Sequence, residues 1–115
     1  MAAADLTAAV PEGPGIYVER IALEATATNA REIQLPEWAR RVDVQFIESD
    51  DTKDDSGKVA SSGTDGSAIG SDAIRVGAGA VYTFRTAAGR ATGGGSMFVA
   101  ASTANAYCIV CLQAE

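Results

Sequence analysis

Two stretches carry the residue types most able to do chemistry. One is the Cys108-Ile109-Val110-Cys111 run, and the other is the acidic segment Glu48-Ser49-Asp50-Asp51-Thr52-Lys53-Asp54-Asp55. The C-x-x-C spacing invites a redox or metal reading. A redox pair sits where a strand turns into a helix, whereas these cysteines lie inside an apolar, strand-like run. In a strand, residues three apart point to opposite faces, so the two thiols diverge. A zinc site needs further Cys or His ligands, and the chain holds only two Cys and no His. Both cysteines are therefore read as small apolar strand residues. As free thiols they suit a protein made in a reducing cytoplasm.

The acidic segment suggests calcium, because hard cations take several carboxylates. The order of an EF-hand loop fails here: Lys53 occupies a ligand position, Ser56 replaces the turn glycine, and no Glu closes the loop. A solvated loop is the preferred reading, and no metal or other cofactor is assigned. The Ser/Gly-rich segment Ser61-Ser62-Gly63-Thr64-Asp65-Gly66-Ser67-Ala68-Ile69-Gly70 continues it. The result is one long loop over 48–72 with at most a short strand at Lys58-Val59-Ala60. Loops of this length inside small domains tend to be functional or to be ordered by a neighbour. Residues 48–72, with Asp50, Asp51, Asp54 and Asp55, are thus the leading candidate contact surface.

Catalysis finds little support. The absence of histidine removes Ser-His-Asp and Cys-His nucleophiles, most zinc enzymes and the usual general base near neutral pH. A glycosidase pair needs two carboxylates across a cleft, and the acids here cluster on one loop. The glycines of Gly89-Arg90-Ala91-Thr92-Gly93-Gly94-Gly95 are not followed by Gly-Lys-Ser/Thr, and they lead into a strand rather than a helix. A non-enzymatic protein is expected.

The elements that position these residues are strands. In 16–25, Ile21, Leu23 and Ala25 share one face. In 31–35, Ile33 and Leu35 alternate with Glu32 and Gln34, and Pro36 ends the run because it has no N–H for a ladder. In 41–46, Val42, Val44 and Phe46 oppose Asp43 and Gln45. Further short strands are expected at 73–76 and 81–85, with a final hairpin formed by 96–101 and 107–112. The glycine-rich stretch 87–95 reads as a hairpin tip. Trp38, in the Pro36-Glu37-Trp38 corner, has two readings, a plug at one end of the sandwich or a protein-contact anchor, and the plug is favoured. Strands at this spacing without helices define the expected fold: an all-β, single-domain antiparallel β-sandwich, jelly-roll-like, over 16–115. An extended N-terminal arm, 1–15, precedes it and closes on the breaker Pro11-Glu12-Gly13-Pro14-Gly15. It is either a tether onto a neighbouring subunit or a loose tail. Its Ala-rich start lacks the basic region of a signal sequence.

Charge narrows the partners. The net charge is −6, and the nine basic residues are dispersed, with Arg40-Arg41 the only adjacent pair. No basic stripe exists to displace counterions from nucleic acid or to hold an anionic membrane. No run of about 18 apolar residues offers a membrane-spanning helix. Much of the apolar content is alanine, beside only three Phe, three Tyr and one Trp. A core this thin favours support from an oligomer or a larger assembly.

Several segments together resemble small virion proteins of tailed bacteriophages, encoded among head and tail morphogenesis genes. They are Ala30-Arg31-Glu32-Ile33-Gln34-Leu35-Pro36, Trp38-Ala39-Arg40-Arg41-Val42 with Gln45-Phe46, and Asp51 with Asp54-Asp55-Ser56-Gly57-Lys58-Val59-Ala60. Gly63-Thr64-Asp65-Gly66-Ser67-Ala68-Ile69-Gly70 and Phe98-Val99-Ala100-Ala101-Ser102 complete the set. The resemblance covers about 20–113 and leaves the arm outside. It implies a virion component made in the bacterial host cytoplasm, first of all a head decoration or cement protein. The implied partners are the major capsid protein or other virion proteins, and further copies of itself, for instance as a trimer. It carries over no catalytic residue. The expected contact residues are Trp38, Arg40 and Arg41 together with the 48–72 loop and the N-terminal arm. A tail or collar accessory, such as a fibre adaptor, is the alternative. A carbohydrate-binding module using Tyr17, Trp38 and Tyr107 stands behind both.

Overall fold

The computed structural model describes residues 2–11, 15–85 and 95–114. Among them the chain forms β1 (Ala4–Asp5), β2 (Ile16–Ala22), β3 (Arg31–Gln34), β4 (Arg41–Ile47) and β5 (Gly57–Ala60). These are followed by β6 (Ile74–Val76), β7 (Tyr82–Arg85), β8 (Ser96–Ala101) and β9 (Tyr107–Gln113). No helix occurs among the described residues, so none is long and apolar enough to cross a membrane. The expected hairpin tip at 87–95 lies, except for Gly95, outside the described residues, as do positions 12–14 of the breaker.

Period-two alternation builds the long strands. β4 buries Val42, Val44 and Phe46 and leaves Arg41, Asp43, Gln45 and Ile47 half-buried; β9 repeats this with Cys108, Val110 and Leu112. Burying one row forces the alternate row onto the other face. The strands form two sheets, one ordered β1-β3-β8-β5-β6 and the other β2-β9-β4-β7. Every pairing is antiparallel except β1 with β3. The pairs β2·β9, β3·β8, β4·β7 and β5·β6 are nested, the outermost strands in sequence pairing with each other and the innermost likewise. The protein is thus an all-β sandwich. Ile33, Leu35, Val59, Val76, Met97, Val99 and Ala101 of the first sheet and its flanks pack against Val42, Val44, Phe46, Cys108, Val110 and Leu112 of the second.

β8 is buried on both faces. Met97, Val99 and Ala101 point into the core, while Phe98 points out and joins Ala30, Ala60, Ile69 and Ala73 in a second cluster. Segment 61–73 therefore lies over the outer face of the first sheet. It is held there by Ala30 N to Ser67 O (2.7 Å), Gly66 N to Ala30 O (2.7 Å) and Ile69 N to Thr28 O (2.9 Å). Covering one Phe ring in this way contributes roughly 2 kcal/mol.

The stretch read as one long loop, 48–72, is two loops. β5 divides it and sits inside the first sheet, between β8 and β6. The four-residue strand escaped a firm reading because Gly57 and Ala60 carry little pattern. Part of the stretch read as an arm also enters a sheet: Ala4 pairs with Ile33 and Asp5 with Gln34, Leu6 N donates to Gln34 O (2.9 Å), and Leu6 is buried. Ala4 and Leu6 alternate about Asp5, but three residues are too short a period to read.

Candidate functional site

The connections gather at the two ends of the sandwich, separated by the seven residues of β4, or roughly 20 Å at the strand rise. The sequence-derived contact residues divide between these ends. Asp50, Asp51, Asp54 and Asp55 follow β4, whereas Trp38 and Arg40 precede it and Arg41 is its first residue.

At the acidic end, 48–56 folds as a tight extension of β4. Glu48 N donates to Lys53 O (2.9 Å), Asp51 N donates to Glu48 O (3.0 Å), and Ile47 bridges to Asp54. Each acid has its own surroundings. The Asp50 carboxylate accepts Thr52 N–H (2.9 Å) and Oγ1 (3.0 Å), which hold its pKa below the usual carboxylate value. Asp51 pairs with Arg20 at 2.7 Å, and the Arg20 guanidinium also lies 4.5 Å from the ring centre of Tyr107. Asp54 is exposed beside Gly79. Asp55 is buried, with Oδ1 accepting Ser56 N–H (2.8 Å) and Oδ2 accepting Thr103 N–H (3.3 Å) and Oγ1 (2.7 Å). Among the described residues no three carboxylates or thiols gather into a metal-binding group.

This end is pre-shaped. Thr28, Asp51 and Asn105, the non-glycine residues with positive φ among the described residues (68°, 65° and 56°), all lie in its loops. A β-branched residue there costs about 1–2 kcal/mol, and Thr28 is held by its N–H on Ala101 O and its C=O on Ile69 N. Asp55 ties the same end together by linking the β4–β5 connection to the β8–β9 turn. Asp55→Ala is expected to lower stability by about 1–3 kcal/mol, since it strands the Thr103 donors in a buried site. Asp55→Asn should fall between the two. Urea denaturation reads this directly, and an unchanged midpoint in Asp55→Ala would show that the link carries no stability.

At the opposite end, Pro36 and Ala39 are buried and a turn joins Ala39 N to Pro36 O (3.2 Å). Trp38 packs half-buried against the core, and its Nε1 donates to Ala9 O (2.7 Å), tying the N-terminal segment to this corner. Arg40 is exposed, with its backbone N–H on Gln113 O (2.8 Å). Arg41 lies on the outer face directly across from Arg85 of β7, and its Nε is 3.5 Å from Asp43 Oδ1. Asp43 is shared, also accepting from Thr83 Oγ1 (2.6 Å) and Gln113 Nε2 (2.7 Å). Like charges directly opposite on neighbouring strands are unfavourable, and the Asp43 carboxylate beside Arg41 offsets the Arg41–Arg85 pair. Sequence reading missed Arg85, because only the β4–β7 register places it beside Arg41.

The other constellations are dispersed. Tyr17 pairs with Leu112 and so shares the inner face of the second sheet, Tyr107 is on its outer face, and Trp38 is at the arginine end. The thiols diverge as their spacing requires. Cys108 points into the core, where burial raises its pKa far above the ordinary value; Cys111 is half-buried on the outer face, raised by burial and then by the Asp43 charge. In the native protein a small alkylating agent should therefore modify Cys111 slowly and Cys108 only after unfolding. Mass mapping of the labelled peptides checks this, and equal labelling would contradict the register of β9.

A cavity of about 470 Å³ opens between the β5–β6 edge and β7, lined by Val59, Ala73, Ile74, Tyr82, Phe84 and Met97 among others. Tyr82 and Phe84 stack along it, with ring centres 5.9 Å apart. Comparison with known proteins gives no match to a family model, a curated protein or a solved structure.

Proposed function

We propose that this chain is a non-enzymatic structural protein of a bacteriophage virion, a decoration or cement protein of the capsid. The nested pairing carries the reading. Strands β2 to β9 pair as β2·β9, β3·β8, β4·β7 and β5·β6, and this nesting across two sheets supports a jelly-roll reading of the sandwich. Viral capsid domains use that architecture, as do lectins. The residue resemblance over 20–113 points the same way.

The distribution of the contact residues suggests how such a protein would work. Trp38, Arg40 and Arg41 sit at one end and Asp50, Asp51 and Asp54 at the other, with a rigid core between them. One chain would then touch two neighbouring subunits at once. Many copies across capsomer junctions, alone or as oligomers, would add buried surface that resists expansion and internal pressure. Asp55 serves the loop from inside rather than as a contact.

Particles assembled without the protein should lose their contents at lower temperature than complete ones, and re-adding it should restore resistance. Equal robustness of stripped and complete particles would end the cement role. Copy number on purified particles separates the alternative: numbers on the scale of the capsid lattice support the head, and those of a small ring support a tail or collar accessory.

A further inference from the structure

The outer strand β2 leaves a row of backbone groups without partners. Gly15 O accepts from Ala114 N (3.1 Å) and Leu23 N donates to Ala106 O (2.9 Å), both in the register that pairs Ile16 with Gln113 and Ala22 with Tyr107. Hydrogen-bonded pairs alternate along an antiparallel ladder. Residues 15, 17, 19, 21 and 23 therefore turn their N–H and C=O toward β9, and 16, 18, 20 and 22 turn theirs to the open edge. The Ala22 carbonyl fits this parity, being capped from outside by Arg31 Nη1 at 2.6 Å. Among the described residues nothing pairs with the outward N–H and C=O of Ile16, Val18 or Arg20.

Sheets blunt an open edge by shortness, Pro, Lys, a bulge or an inward-pointing charge. Of these β2 has only the last, in Glu19, whose carboxylate accepts the Tyr17 hydroxyl. The other edges are short: two residues in β1, three in β6 and four in β7. β2 has seven residues, reading Ile-Tyr-Val-Glu-Arg-Ile-Ala, in unbroken register with β9. Its outward-face side chains Ile16 and Val18 are 36% and 54% exposed. Arg20 is already held by Asp51 and Tyr107, so the strand is ordered before any partner arrives.

We propose that β2 is a self-pairing edge, at which a second copy of this chain adds its own β2 antiparallel about a two-fold axis through Val18. Self-complementarity identifies the occupant. In that register Val18 faces Val18 of the partner subunit, and Ile16 faces Arg20 of the partner subunit. Each pair exchanges both of its hydrogen bonds, so every open group of Ile16, Val18 and Arg20 finds a partner. The alternate row also matches, with Tyr17 facing Glu19 of the partner subunit. Tyr17 already donates its hydroxyl to Glu19 within the chain, so hydroxyl donors and carboxylate acceptors alternate around the axis. Sliding one strand by two residues in one direction would oppose the two Glu19 side chains and set Ile16 across from Ala22 of the partner subunit, whose outward carbonyl is already capped by Arg31. A sliding step the other way leaves Arg20 unmatched. Contact of three residues a side is small, which makes the dimer weak and concentration-dependent.

Sedimentation of the full chain between about 10 and 500 µM, a range suited to an interface of this size, tests the proposal. The wild type should shift from monomer toward dimer over that range, with slowed amide exchange at 16, 18 and 20 in the dimer. Val18→Lys places like charges at the axis, and Val18→Pro removes an N–H that no intrachain bond uses; both should remain monomeric with unchanged far-UV circular dichroism. If Val18→Pro disturbs the fold, Val18→Lys decides alone. A wild type monomeric throughout, a trimer or larger ring, or association surviving Val18→Lys would overturn the proposal. None of these results bears on the virion reading, which rests on particle stability and copy number.

Discussion

Phe46→Ala is expected to lower the unfolding free energy by about 3–5 kcal/mol, the range for deleting a buried aromatic ring. Phe46 is fully buried and is the largest such side chain among the described residues. It is the last inward residue of β4, so it closes the core just below the acidic loops. Few large side chains stand nearby to fill the space, because the core is built mainly of Val, Ile, Leu and Ala. Since domains of this size have only about 5–15 kcal/mol in total, the variant should be near the limit of folding at ordinary temperatures. Guanidinium denaturation should show a much lower midpoint with an unchanged slope. A loss below about 1 kcal/mol would mean that the ring is not enclosed as described.

Gly57→Ala should be nearly as disruptive, for the opposite reason. A methyl group at Gly57 would come within 2.6 Å of Cε2 and Cζ of Phe46 and 2.7 Å of Cδ2. Those are ring atoms of a side chain with no exposed surface, so they cannot swing aside as a flexible tip would. Overpacking a filled core typically costs about 1–3 kcal/mol, and this approach belongs at the upper end. The two sites are in contact, so their effects must not add. In a Phe46→Leu background the alanine at 57 should cost distinctly less than in the wild type. An equal cost in both backgrounds would show that the penalty arises in the β5 backbone and not against the ring. Gly57 is thus required by a close approach of backbone to ring, and it begins the strand that separates the two loops once read as one.

These two residues also show where sequence reading succeeds and stops. Phe46 was legible as a core residue, because Val42, Val44 and Phe46 repeat at the strand period and that signal is local. Gly57 was not, since nothing in Asp55-Ser56-Gly57-Lys58 indicates that a ring eleven residues earlier fills the space of its side chain. The candidate contact residues behaved the same way. Asp50, Asp51, Asp54 and Asp55 were legible as one acidic cluster, yet one of them is an interior tie, another is committed to Arg20, and Asp50 is folded onto Thr52. Arg40 and Arg41 were legible as a pair, while Arg85 joined them only through cross-strand pairing.

The opposed faces of Cys108 and Cys111, the identity of most strands and the all-β class follow from the chain alone, because alternation of polarity along a strand needs no knowledge of its neighbours. Folding settled which strands meet: Ile16 with Gln113, Arg41 with Arg85, and Ala4 with Ile33. It also laid 61–73 over Phe98, moved the arginines and the acids to opposite ends, and left β2 with an open edge. Those outcomes join residues far apart in sequence, and they are selected by burial of whole faces at once, which no local pattern records.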